Sequence, residues 1–157
     1  MSGSGTPTPS EVDGTGLTIA VVAARWHAAI TDGLLEGARR AAARLGVTDL
    51  IEVRVPGTFE LPVAALHAAR GGVDAVVALG AVVRGGTPHF EYVCEAATHG
   101  LTDVAVRTGV PVGFGVLTTD TESDALDRAG LPGSREDKGA EAVEAVVETV
   151  RALGRFA

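Results

Sequence analysis

The sequence predicts an α/β sandwich, a four-stranded and mostly parallel sheet flanked by helices. Three observations predict it. Short β-branched apolar runs alternate along the chain with segments whose apolar residues recur every three or four positions. The run "VDAVVALGAVV" (73–83) is apolar without alternation from Ala75 to Val83, as a parallel strand covered on both faces should be. At 157 residues the chain is long enough for one real core and too short for two.

Taken in order, "MSGSGTPTPSEVDGTG" (1–16) is rich in Gly, Ser, Thr and Pro and lacks apolar periodicity. It is expected to be a flexible N-terminal arm, ordered only where it docks, with the folded domain spanning 17–157. "LTIAVVAA" (17–24) predicts a buried first strand. Ile30, Leu34, Ala38, Ala41 and Leu45 then trace an amphipathic helix with a stop at Gly46. "LIEVRVP" (50–56) alternates apolar and charged residues and predicts a strand with a more exposed face. Pro56-Gly57 breaks it, and a short helix follows from about Phe59 to Arg70. After the central strand, Phe90, Val93, Cys94, Ala97, Leu101 and Val104 mark the next helix. "PVGFGVLTT" (111–119) is the fourth strand. Thr119 with Glu122 predicts a capping box opening a short helix through Ala129. Ser134 is the expected cap of a last helix, whose stripe is Val143, Val146, Val147, Val150 and Leu153.

Composition excludes several functions. The net charge is −7 without a basic block, which argues against general nucleic-acid binding and requires any anion site to be a local positive pocket. No apolar run reaches membrane-span length and the N-terminus has no signal-peptide pattern. The single cysteine, Cys94, cannot form an internal disulfide, so the cytoplasm is the expected compartment. No histidine pair has metal-ligand spacing, and one cysteine rules out a zinc cluster. Lys138 is the only lysine, so any enzyme-bound Schiff base would have to use it.

In a parallel sheet, ligands bind beyond the carboxyl ends of the strands. There the chain places Arg25-Trp26-His27, "PGTFELP", "RGGTPHF" and "TTDTESDALDRAG". In "RGGTPHF", Thr87 is the expected N-cap and Pro88 the first helical residue, with Gly85 and Gly86 leaving the turn's amides unobstructed. Amides at a helix N-terminus suit an anion, although an ordinary capped turn fits these residues equally well. "GAVVRGGT" lacks the lysine of a nucleotide P-loop. His89, in the first turn beside that loop, is the candidate proton carrier. Trp26 offers a flat stacking surface, whereas His67 and His99 fall within helices and are expected to face solvent or pack locally.

"VPGTFELP", "LGAVVRGGTPHFEYVC", "GVPVGFGVLTT", "ALDRAG" and "DKG", in this order between residues 17 and 153, resemble the signature blocks of the lumazine synthase family. The resemblance implies a flavodoxin-like fold and a cofactor-free, metal-free condensation in riboflavin biosynthesis. The substrates would be 5-amino-6-(D-ribitylamino)uracil and 3,4-dihydroxy-2-butanone 4-phosphate. The products would be 6,7-dimethyl-8-ribityllumazine, phosphate and water. By motif, Trp26 would stack on the pyrimidine, where many relatives have phenylalanine. Thr58, Phe59 and Glu60 would hold the ribityl chain, and Ala81, Val82 and Val83 would border the ring. Gly86 and Thr87 would cradle the butanone phosphate, with Gly86 standing where relatives often carry alanine or glutamine. Arg128 would clamp that phosphate, and His89 would transfer protons. Phe114, Arg128 and Lys138 would reach the site from a neighbouring subunit of a five-membered ring. Some relatives stack such rings into a shell of sixty subunits. Here the link "AGLPGSREDKG" is longer and contains Pro132, which predicts a free homopentamer, with the shell as the alternative. Riboflavin synthase is the further partner the resemblance suggests.

Overall fold

β-Branched residues favour the pleated sheet, and apolar residues at helical spacing need a surface to cover, so such a chain folds as layers. A computed structural model describes residues 12–156. The arm expected over 1–16 therefore lies largely outside the described residues. Its last part is tied down: Gly14 N donates to Leu45 O (2.7 Å), Gly16 N to Thr48 Oγ1 (2.7 Å), and Arg151 to Asp13 O and Thr15 O (2.8 and 2.6 Å).

Four strands, β1 (Thr18–Ala24), β2 (Asp49–Val55), β3 (Ala75–Val83) and β4 (Val112–Thr119), form one all-parallel sheet in the order β2-β1-β3-β4. Five α-helices follow the strands: α1 (Ala28–Arg44), α2 (Leu61–Arg70), α3 (His89–Thr108), α4 (Glu122–Leu126) and α5 (Lys138–Leu153). A 3₁₀ turn, Thr58–Glu60, precedes α2.

Strand periodicity divides the core in two. Ile19, Val21 and Ala23 of β1, with Val77 and Leu79 of β3, pack on Ile30, Leu34, Val143 and Val147 of α1 and α5. Val22, Val76, Ala78 and Val116 pack against Leu61, Ala65, Leu101 and Val104 of α2 and α3. Each fully buried aliphatic side chain adds roughly 1.5–3 kcal/mol. β2 inverts the usual edge-strand pattern. Its Glu52 and Arg54 point to α1, where Glu52 pairs with Arg39 (2.5 Å) and Arg54 with Asp32. Its apolar Ile51 and Val53 stand 43% and 45% exposed.

The helix starts differ from expectation by one to three residues. Pro88, not Thr87, occupies the N-cap of α3, and α3 begins at His89. Thr121, not Thr119, caps α4 by accepting from Asp124 N (3.1 Å), while the Thr119 hydroxyl donates to Thr121 O (2.8 Å). α4 ends at Leu126, before Ala129, because the chain turns into a hairpin. Asp137, not Ser134, caps α5 through Ala140 N (2.9 Å). Ser134 instead closes that hairpin, donating to Leu126 O (2.5 Å) and accepting from Leu131 N (3.0 Å). Leu131-Pro132-Gly133-Ser134 make a turn with Ser134 N bonded to Leu131 O (2.9 Å), proline second and Gly133 third at φ 92°.

Candidate active site

The strand order reverses between β1 and β3, and a crevice opens past their carboxyl ends. Its cavity of about 560 Å³ is lined by Trp26 and His27 after β1 and by the Gly57–Glu60 turn after β2. Ala81, Val82 and Val83 of β3 and His89 and Val93 of α3 complete it. Four separate segments thus converge on one groove.

Local chemistry sets each wall. His27 has φ 55° and ψ 57°, a left-handed conformation that costs a non-glycine residue about 1–3 kcal/mol. That backbone turns the chain from β1 into α1 and leaves Trp26 70% exposed at the groove, its ring 6.4 Å from that of His27. Buried Thr58 donates from its hydroxyl to Ala81 O (3.3 Å), tying the second loop to the end of β3. Gly80 makes room for it, since a Cβ there would lie 2.7 Å from that hydroxyl oxygen. Glu60 accepts from Gly57 N (2.9 Å) through one carboxylate oxygen, holding the turn that presents exposed Phe59.

Gly86 and Thr87 lie exposed beside this groove, just before His89. Among the described residues their amides donate to no protein acceptor. They sit at the N-terminal, partially positive end of a 20-residue helix.

Phe114, Arg128 and Lys138 gather elsewhere, in a second cavity of about 510 Å³ along the free edge of β4, with Thr118, Asp120 and Asp124. The two cavities share no lining residue. The hairpin between α4 and α5 brings the two cations together across the Ala129–Asp137 bridge, with Lys138 N donating to Arg128 O (3.0 Å). Arg128 spends one N–H on Asp124 O (2.7 Å), and the Asp124 and Glu136 carboxylates stay 4.0 and 3.9 Å away. Lys138 differs: its Nζ lies 2.5 Å from Glu136 and 2.7 Å from Glu141. Burial pulls its pKa down, but hydrogen bonds to Glu136 and Glu141 together outweigh that, so the net shift is upward. Glu136 is shifted down, first by the hydrogen bond from Lys138 and against its own partial burial.

Of the residues expected from sequence, eight line the β1/β3 groove, three line the β4 groove, and Gly86 and Thr87 flank the first. Glu136 and Glu141 were missed as lysine partners. Their signal is "EDKGAE", acids two before and three after the only lysine, which capping alone explains just as well. His67 and His99 are exposed on α2 and α3 and line neither cavity. Among the described residues, no three His, Cys, Asp or Glu side chains gather as a metal-ligand set, and no helix is long and apolar enough to cross a membrane.

An open parallel sheet with an exposed tryptophan, a polar turn and a histidine beyond its carboxyl ends defines an α/β enzyme acting on small molecules. Comparison with known proteins narrows this class. The family model for 6,7-dimethyl-8-ribityllumazine synthase matches residues 16–154. A 6,7-dimethyl-8-ribityllumazine synthase of Kineococcus radiotolerans is 72% identical over 98% of this chain and 94% of its own length. Those of Kocuria rhizophila and Micrococcus luteus are 64% and 62% identical over 98% and 99% of this chain, and 99% and 98% of theirs. The chain belongs to the 6,7-dimethyl-8-ribityllumazine synthase family.

Proposed function

We propose that the family's reaction runs in the β1/β3 groove of one subunit, completed by the β4 groove of its neighbour. That reaction condenses 5-amino-6-(D-ribitylamino)uracil with 3,4-dihydroxy-2-butanone 4-phosphate to give 6,7-dimethyl-8-ribityllumazine, phosphate and water, the penultimate step of riboflavin biosynthesis. The observation that carries the assignment is the convergence of Trp26, the Thr58–Glu60 turn, Ala81–Val83 and His89 on one cavity.

In this reading Trp26 stacks on the pyrimidine, Phe59 and Glu60 orient the ribityl chain, and the backbone of residues 81–83 borders the ring. Thr58 contributes through its backbone, because its hydroxyl is engaged with Ala81. The amides of Gly86 and Thr87 hold the butanone phosphate from one side. Arg128, with donors to spare, holds it from the other. Lys138, already set between two carboxylates, positions rather than clamps.

The substrate's own amine attacks the butanone carbonyl, and imine formation expels water. Phosphate then leaves, its developing charge met by fixed amides and the guanidinium. Closure of the second ring expels a further water, with His89 moving protons between these steps. Holding both reactants in one orientation supplies much of the rate.

Two cavities with no common wall support a shared site, as do the exposed apolar Ile51 and Val53 on the sheet edge farthest from β4. The assembly we infer is a cytoplasmic homopentamer. In this reading the longer, proline-containing link, closed as a hairpin at Ala129 and Asp137, redirects the last helix and disturbs the contacts that would stack rings. Riboflavin synthase is the expected consumer of the product.

The test is turnover, read as lumazine fluorescence on mixing both substrates. His89→Ala should lower it by about 10²- to 10⁴-fold with the fold intact. Unchanged turnover would remove His89 from the mechanism.

A further inference from the structure

Loop 85–88 has little of its own to hold it in shape. A Cβ added at Gly85 or Gly86 would meet nothing within 4 Å, and no side chain caps the start of α3. A cradle that binds through backbone amides must nevertheless be held to a fraction of an ångström. One side chain brackets the loop. The Arg84 guanidinium donates through Nε to Asp120 Oδ1 (2.6 Å) at the end of β4, and through its terminal nitrogen to Glu91 in the first turn of α3. Its carbon lies 4.1 Å from the centre of the Phe90 ring, one residue beyond His89. The Arg84 amide adds a bond to Thr119 O (2.9 Å) beyond the last β3–β4 pair.

Resting on the assignment of His89 and loop 85–88 to the site, we propose that Arg84 is a positioning residue for both. It works as a strut from the end of β4 across the loop to α3. Its charge is spent on two carboxylates, so it is not itself a phosphate ligand. A planar fork meets two carboxylates and a ring face at once, which a lysine ammonium cannot do. Arg84 is also 44% exposed, so its ion pairs add little to global stability. Its loss should therefore appear in kinetics and not in melting.

The experiment compares Arg84→Met and Arg84→Lys with the unaltered enzyme in melting, in steady-state kinetics with each substrate varied, and in calorimetric titration with inorganic phosphate. Arg84→Met should melt within a few degrees of the parent. Its kcat should fall about 10- to 100-fold and phosphate binding should weaken, with KM for the pyrimidine substrate little changed. Arg84→Lys should fall between the two. Asp120→Asn should cost part of the same loss, and combined with Arg84→Met should add nothing further, the signature of one shared contact. Parent-like kinetics in Arg84→Met would overturn the proposal, as would equal losses for both substrates with a large drop in melting temperature. If the parent itself forms no lumazine, the functional assignment fails instead, a result distinguishable from either.

Discussion

Replacing Arg128 with alanine should separate the two substrates. The guanidinium carries five N–H donors, and among the described residues it gives one to Asp124 O at 2.7 Å. The carboxylates at 3.9 and 4.0 Å hold it electrostatically without engaging its remaining donors. A phosphate taking two of those donors gains two charge-assisted bonds, together about 3–6 kcal/mol. The two neighbouring carboxylates and partial solvent access argue for the lower end, so about 3 kcal/mol, or roughly 10²-fold in Kd, should be lost. The pyrimidine substrate, which carries no phosphate, should change by less than about threefold. The fold loses one hydrogen bond, about 0.5–1.5 kcal/mol, or a few degrees of melting. The backbone tie from Lys138 N to Arg128 O survives. Separate calorimetric titrations with the ribityl pyrimidine and with a butanone phosphate analogue decide it. Equal weakening of both ligands would make Arg128 a structural residue and refute the reasoning.

Trp26→Ala should show the opposite bias, weakening the ring-bearing ligand by about 0.5–1.5 kcal/mol and leaving phosphate binding unchanged in the same titrations. Gly139→Ala places a Cβ 1.9 Å from Leu34 O, a backbone atom of α1, so α1 and α5 must part. The cost should be about 1–3 kcal/mol, seen as roughly 3–10 °C of melting, whereas Gly154→Ala, which meets nothing within 4 Å, serves as the neutral control. Sedimentation should give five chains of 15.9 kDa, about 80 kDa, and not a shell near 950 kDa. Subunits of His89→Ala and Arg128→Ala, each nearly inactive, should regain about a quarter of full activity when unfolded and reassembled together at equal amounts, because a quarter of shared sites then lack both changes. No recovery would place His89 and Arg128 in one subunit's site.

Strand and helix positions were legible in the residue order because they rest on local periods. β3 reads as one apolar run, and α1 as a stripe from Ile30 to Leu45, whatever lies around them. The motif residues were legible as well, since "PGTFE" and "RGGTPHF" follow strands. Cap identity was less so. Thr87, Thr119 and Ser134 are all good cap types, but a cap is chosen by the angle at which the chain enters the helix. That angle gave the role to Pro88, Thr121 and Asp137. Grouping was decided only in three dimensions. Arg128 and Lys138 are ten residues apart, and a hairpin closed at Ala129 and Asp137 brings them together. His89 and Arg128 both follow strands of one sheet, yet they line different cavities. Periodicity acts over one or two turns, so residue order carries it directly. Which segments become neighbours depends on how the whole chain buries its two apolar layers, and no short stretch encodes that.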